Sequence, residues 1–116
     1  MRRRELKACI PEALALLPGH VAKYIRENVT MEIDTLGWGF DKDIDWSHCI
    51  DGGFGTFDDG TKPHIAIDRR VKTKRRAVRV VLHEVGHAWL TFRGLKDTEK
   101  RANILARSWL KRGKEA

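Results

Sequence analysis

The sequence predicts a small α+β fold in a single domain, helical at both ends with a short β-sheet between. Three observations point to it. The chain has 116 residues, enough for one core and no second. Apolar residues recur at helical spacing near both termini, and two stretches between them alternate with period two. Hydrophobic residues make up 41% and charged residues 34%, a balance that excludes a disordered chain and keeps the core small.

Each element has its own warrant. From about Arg4 to Leu17, the residues Leu6, Cys9, Ile10, Ala13, Leu14 and Leu17 form a helical stripe. Pro18-Gly19 punctuates, and a short helix from His20 to about Glu27 carries Val21, Tyr24 and Ile25 on one face. Residues 29–36 alternate and read as a half-buried strand. Six of the ten glycines and a series of Asp residues lie between Gly37 and Lys62, which reads as loop and turn with a short hairpin around Phe54 to Phe57. His64-Ile65-Ala66-Ile67-Asp68 is a second strand with Ile65 and Ile67 inward; His64 and Asp68 are expected to point away from the core. As an edge strand it is a place where an extended peptide can add itself to the sheet. A helix is predicted over Lys74 to Phe92 with Gly94 as its C-cap. Asp97 and Thr98 supply N-cap oxygens for a last helix of about fifteen residues, buried through Ala102, Leu105, Ala106, Trp109 and Leu110.

Composition removes several function classes. No apolar run approaches the roughly 20 residues that span a bilayer, so no membrane role is expected. The N-terminal arginines are followed by Lys7, Pro11 and Glu12, which makes a poor signal peptide, and the expected compartment is the cytoplasm. Cys9 and Cys49 form no CxxC pair and are too few for a disulfide framework. The net charge of +7 is unevenly spread. Residues 30–68 carry two basic and nine acidic groups, whereas 69–116 carry fifteen basic and four acidic. Seven cations fall within 69–79: Arg69, Arg70, Lys72, Lys74, Arg75, Arg76 and Arg79. Such a run suits a solvated surface, and also a polyanion such as nucleic acid.

The segment that carries chemistry is Val80-Val81-Leu82-His83-Glu84-Val85-Gly86-His87-Ala88-Trp89, which contains His-Glu-x-x-His. Residues four apart on a helix differ by 400°, so His83 and His87 share a face and their imidazoles can reach one ion. Glu84 sits about 100° round, where it is better placed to hold a metal-bound water than to ligate. Zinc with three protein ligands lowers the pKa of that water toward about 7, and a carboxylate can take its proton during attack on a carbonyl. A third histidine six residues beyond His87, the metzincin arrangement, is excluded by Arg93, and no histidine follows His87 at all. The last helix opens instead with Glu99 and Asn103, four apart on one face. Across a short turn, Glu99 can serve as third ligand while Asn103 hydrogen-bonds a ligating imidazole. Asp97 competes with Glu99 for the ligand role but looks better used as a helix cap.

The pair His-Glu-x-x-His and, later, Glu99-x-x-Ala102-Asn103 resembles the gluzincin metallopeptidases, and most of all the minigluzincins and the ImmA/IrrE-type peptidases. The likeness covers about 64–112. The gap from His87 to Glu99 is shorter than is usual in ImmA/IrrE proteins, so the minimal form is the better fit. The resemblance implies a zincin-like domain: a short sheet with an edge strand packed on the active-site helix, and a C-terminal glutamate helix. It also implies His83, His87 and Glu99 as Zn²⁺ ligands, Glu84 as general base, Asn103 behind a ligand, and a peptide or protein as substrate. The alternative is a basic module binding nucleic acid or protein, its metal site structural or vestigial.

Other residues have claims to a role beside these. His64 is expected near the cleft from its place on the strand, and Tyr24 is the one phenol available as an oxyanion donor, although half-buried packing suits it better. Ser47-His48-Cys49 reads as loop, and Trp38, Trp46, Trp89 and Trp109 as core or cleft walls.

Overall fold

The computed structural model describes residues 1–34, 52–55 and 62–115. Along them run α1 (Arg3–Leu14), α2 (Gly19–Asn28), β1 (Thr30–Asp34), β2 (Gly52–Gly55), β3 (His64–Asp68), α3 (Lys74–Phe92) and α4 (Glu99–Glu115). The architecture is α+β, four helices and a three-stranded mixed sheet. Most of the loop read over 37–62, with Trp38, Trp46 and Ser47-His48-Cys49, lies outside the described residues. Among those residues no helix is long and apolar enough to cross a membrane.

The first two helices end where the sequence breaks its periodicity. α1 buries Leu6, Cys9, Ala13 and Leu14, one stripe at helical spacing. The Pro18 carbonyl then accepts from the amides of Val21 and Ala22, both at 3.0 Å, and so opens α2. α2 buries Val21, Ala22 and Ile25.

The sheet corrects two expectations. Its order is β1-β3-β2, so β3 is the central strand and not an edge. It pairs parallel with β1, Thr30 opposite His64 through Asp34 opposite Asp68. It pairs antiparallel with β2, Gly52 opposite Ile67 through Gly55 opposite His64. Gly52–Gly55 is therefore a strand in a segment read as turn, and its pairing partner is β3. The peptide-accepting edge expected at 64–68 is occupied on both sides. Asp68 is the second correction: it is 1% exposed, not outward. Burying a carboxylate demands a partner, and Arg70 supplies a fork. Its Nε donates to Oδ1 at 3.0 Å and its Nη2 to Oδ2 at 2.7 Å, while its amide also donates to Oδ1 at 2.8 Å. One cation of the basic run is thus structural.

α3 is the hub, packed against α1, α2, α4 and the sheet. Val81, Leu82 and Val85 are fully buried, and each such side chain contributes about 1.5–3 kcal/mol relative to exposure. Thr73 caps its start by accepting from the Arg76 amide at 3.2 Å. Its end is a Schellman motif: Gly94 takes φ 68°, its amide donates to Thr91 O at 3.1 Å, and the Leu95 amide donates to Leu90 O at 2.9 Å. The reversal turns α4 back along α3. Thr98 caps α4, its Oγ1 accepting from the Arg101 amide at 3.1 Å.

Candidate metal centre

The helical reversal brings the first turn of α4 onto the His-Glu-x-x-His turn of α3. The two helices approach closely because Gly86 has no side chain: a Cβ there would lie 3.1 Å from the Ala102 carbonyl oxygen. Glu99, one turn before Ala102, and Asn103, the residue after it, then face the histidines.

Their side chains converge. His83 Nε2 lies 2.9 Å from Glu99 Oε2, His87 Nε2 lies 3.0 Å from Glu99 Oε1, and the two Nε2 atoms are 3.1 Å apart. The other ring nitrogens are each engaged. His83 Nδ1 donates to Asn103 Oδ1 at 2.8 Å, and His87 Nδ1 donates to Asp97 Oδ1 at 2.5 Å. With Nδ1 carrying the hydrogen in both rings, a neutral imidazole presents only a lone pair at Nε2. Two lone pairs and a carboxylate then face one another within hydrogen-bond distance. Acceptors so arranged repel unless a proton or a cation sits among them. The donor set, two imidazole nitrogens and one carboxylate, is that of a three-ligand catalytic zinc site. Ligands about 2.0–2.1 Å from a tetrahedral zinc stand roughly 3.3 Å apart, close to the spacing here. The residues present fit the ion.

Asp97 is the residue that sequence reasoning misassigned. It does not cap α4; Thr98 does. It holds His87 in one tautomer, as Asn103 holds His83, so each imidazole has its own partner behind it. An acid ten residues past the second histidine, at the start of the glutamate helix, is the signal that was available.

Glu84 is 5% exposed and lies deep between α3 and β2. Its Oε1 is 3.9 Å from His83 Nε2, so with His83 and His87 it could itself hold a metal ion, although Glu99 stands closer to both histidines. Its pKa is raised to about 7, chiefly by burial; His87 works against the rise, and the Glu99 and Asp97 charges add to it. For His87, burial acts to lower the pKa. The hydrogen bond to Asp97 and the charges of Glu84, Asp97 and Glu99 outweigh it, and the net shift is upward.

β2 passes directly beside this turn. A Cβ on Gly52 would lie 2.5 Å from Val80 Cγ1 and 3.4 Å from Glu84 Cγ, so only glycine lets the strand sit there. Among the described residues, β2 is the sheet edge next to Glu84.

Two other candidates fall elsewhere. His64 Nδ1 is 3.2 Å from Glu32 Oε1, across the β1–β3 pair. Tyr24 stacks on Phe92 at 3.8 Å between centroids and meets Trp89 edge-on at 5.8 Å, a packing role. Neither lines the cleft in front of Glu84. Trp109 is buried in the core and Trp89 belongs to the Tyr24 cluster.

No protein-family model matches the chain, and no curated protein or solved structure is significantly similar to it.

Proposed function

We propose that the protein is a zinc-dependent metallopeptidase of gluzincin type, with His83, His87 and Glu99 as ligands and Glu84 as general base. The observation that carries this reading is the convergence of two Nε2 lone pairs and the Glu99 carboxylate beside a buried glutamate whose pKa is about 7. When bound, zinc supplies Lewis acidity, which polarises a carbonyl and acidifies water.

The chain's own residues do the rest. Asp97 and Asn103 fix both imidazole tautomers, so Nε2 faces the centre without rearrangement. Glu99 adds the negative charge that favours a dication over a proton. Glu84 accepts a proton from the attacking water and returns it to the leaving amine, and a pKa near neutrality lets it do both. Among the described residues no strand pairs with the outer edge of β2, which can take an extended peptide in the role expected of 64–68.

A basic module for nucleic acid or protein, with a structural metal site, is the second reading, and exposed arginines on α3 favour it. Glu84 argues against it: a structural site has no use for a buried carboxyl group next to its ligands, and burying one is costly.

The test is hydrolysis of a flexible protein such as casein by zinc-loaded wild type and by Glu84→Gln. The amide is nearly isosteric and cannot accept a proton, so zinc content and fold should persist while the rate falls on the order of 10²–10⁴-fold. Equal rates for the two proteins would mean that Glu84 is not the base.

A further inference from the structure

We propose that the cleft in front of Glu84 is built to take acidic peptides, with a carboxylate side chain about two residues from the scissile bond. The inference rests on the peptidase reading for its register and on independent observations for its charge preference.

The first observation is how the basic run divides. Arg70 is held by Asp68, and Lys74 Nζ is 3.2 Å from Glu12 Oε2. Arg75 and Arg79 line a cleft of about 840 Å³, together with Arg107 from α4. His83 and Glu84 line the same cleft. The run is therefore not one continuous patch for a polyanion. Its inner members converge on a concavity that holds the chemistry.

The second observation is where those arginines sit. The first turn of α3 has no acidic residue and carries Lys74, Arg75 and Arg76. Cations there oppose the helix dipole, so the placement works against helix stability. The N-terminal dipole and the guanidiniums add, and both favour an anion in the cleft. Among the described residues, Arg75, Arg79 and Arg107 have no carboxylate within ion-pair distance.

The third is spacing. Arg79 precedes His83 by one helical turn, about 6 Å along the axis. An extended peptide rises about 3.3 Å per residue. Arg79 thus meets a side chain about two residues from the reacting carbonyl, and Arg75 meets chain further out. On the opposite wall Arg107 follows Asn103 by one turn of α4. A guanidinium fork matches a carboxylate in two parallel hydrogen bonds, which lysine cannot do.

The test uses the full chain, zinc-loaded, as Glu84→Gln to prevent turnover. Short labelled peptides of one design, carrying either Glu or Gln at the varied positions, are titrated by fluorescence anisotropy. The Glu peptide should bind about tenfold more tightly at low salt, as two partly exposed ion pairs allow. The advantage should shrink at physiological ionic strength of about 0.15 M. Arg79→Gln with Arg107→Gln should erase it without changing zinc content. Equal binding of the two peptides overturns the proposal. So does tighter binding of a single-stranded oligonucleotide than of the Glu peptide, which would assign the cleft to nucleic acid. Cleavage by wild type separates the two readings. Both peptides cut at equal kcat/KM would overturn the acidic preference and keep the peptidase. Preferential binding without cleavage of either would support the preference and overturn the peptidase.

Discussion

Gly86 and Ala102 meet backbone to backbone: a Cβ on Gly86 would lie 3.2 Å from the Ala102 Cα and 3.4 Å from its Cβ. The candidate metal centre depends on that approach, because Glu99 and Asn103 reach the histidines only if α4 lies this close to α3. Gly86→Val should force the helices apart, destabilising the protein by about 1–3 kcal/mol and weakening zinc binding at the same time. Thermal unfolding and a chelator competition on the same variant check both effects. Full zinc affinity in a destabilised Gly86→Val protein would show that the crossing is not what aligns the ligands.

Zinc should bind at close to one ion per chain, with His83→Ala and His87→Ala each abolishing it. Because the ligands are assembled by folding, zinc at a thousandfold its Kd stabilises the native state by about 4 kcal/mol. The rise in Tm on adding zinc should be seen with wild type and be missing in both variants. Metal analysis after dialysis gives the stoichiometry.

The carboxylates and their neighbours should rank in a definite order. Glu99→Ala removes a ligand and should cost the most affinity. Asp97→Ala and Asn103→Ala leave the ligands in place but free an imidazole to rotate, which typically costs 10–100-fold. Thr98→Ala should cost about 1 kcal/mol of helix capping and leave zinc affinity nearly unchanged. If Asp97→Ala resembled Thr98→Ala in a chelator competition, the contact to His87 would be incidental.

Acidification should release the metal, and the sign follows from His87. Its pKa is raised on balance: burial lowers it, but the Asp97 hydrogen bond and the surrounding carboxylates raise it more. The proton therefore competes for Nε2 up to a higher pH than in a free imidazole. Below that raised pKa, apparent zinc affinity should fall about tenfold per pH unit for each proton displaced. Asp97→Asn removes the charge that holds the proton, so the fall should begin at lower pH, from a weaker plateau. Zinc titrations from about pH 8 to about pH 5.5, spanning the ordinary imidazole range, locate the break.

What could be read from the sequence was local. The spacing of His83 and His87 fixes a shared helix face, and Gly94 marks the reversal that sends Glu99 back toward them. Asn103 follows from Glu99 by one helical turn. The sheet was less legible because strand order is a long-range property. Nothing within His64–Asp68 says that it pairs on both sides, and Gly52–Gly55 has no alternating pattern to mark it as a strand. Asp68 was read outward from its place in the alternation, whereas Arg70 two residues later makes its burial possible. Asp97 was ambiguous for a different reason. Caps and hydrogen-bond partners of ligating histidines draw on the same residue type at the same helix start, and only the distances to His87 and the Thr98 cap separate the two.

The geometry of the helical reversal also orders assembly in time. His83, Glu84, His87, Asp97, Glu99 and Asn103 all lie on one hairpin of adjacent helices, closed by the short turn at Gly94. Such a hairpin pays little loop-closure entropy, whereas pairing β1 with β3 joins Thr30–Asp34 to His64–Asp68 and pays considerably more. The two helices should therefore associate early in folding and the parallel strand pair late. Gly86→Val should then act chiefly by slowing folding, while substitutions at the β1–β3 pairing should chiefly speed unfolding. On that order, His83, His87 and Glu99 should come together before β1 and β3 pair.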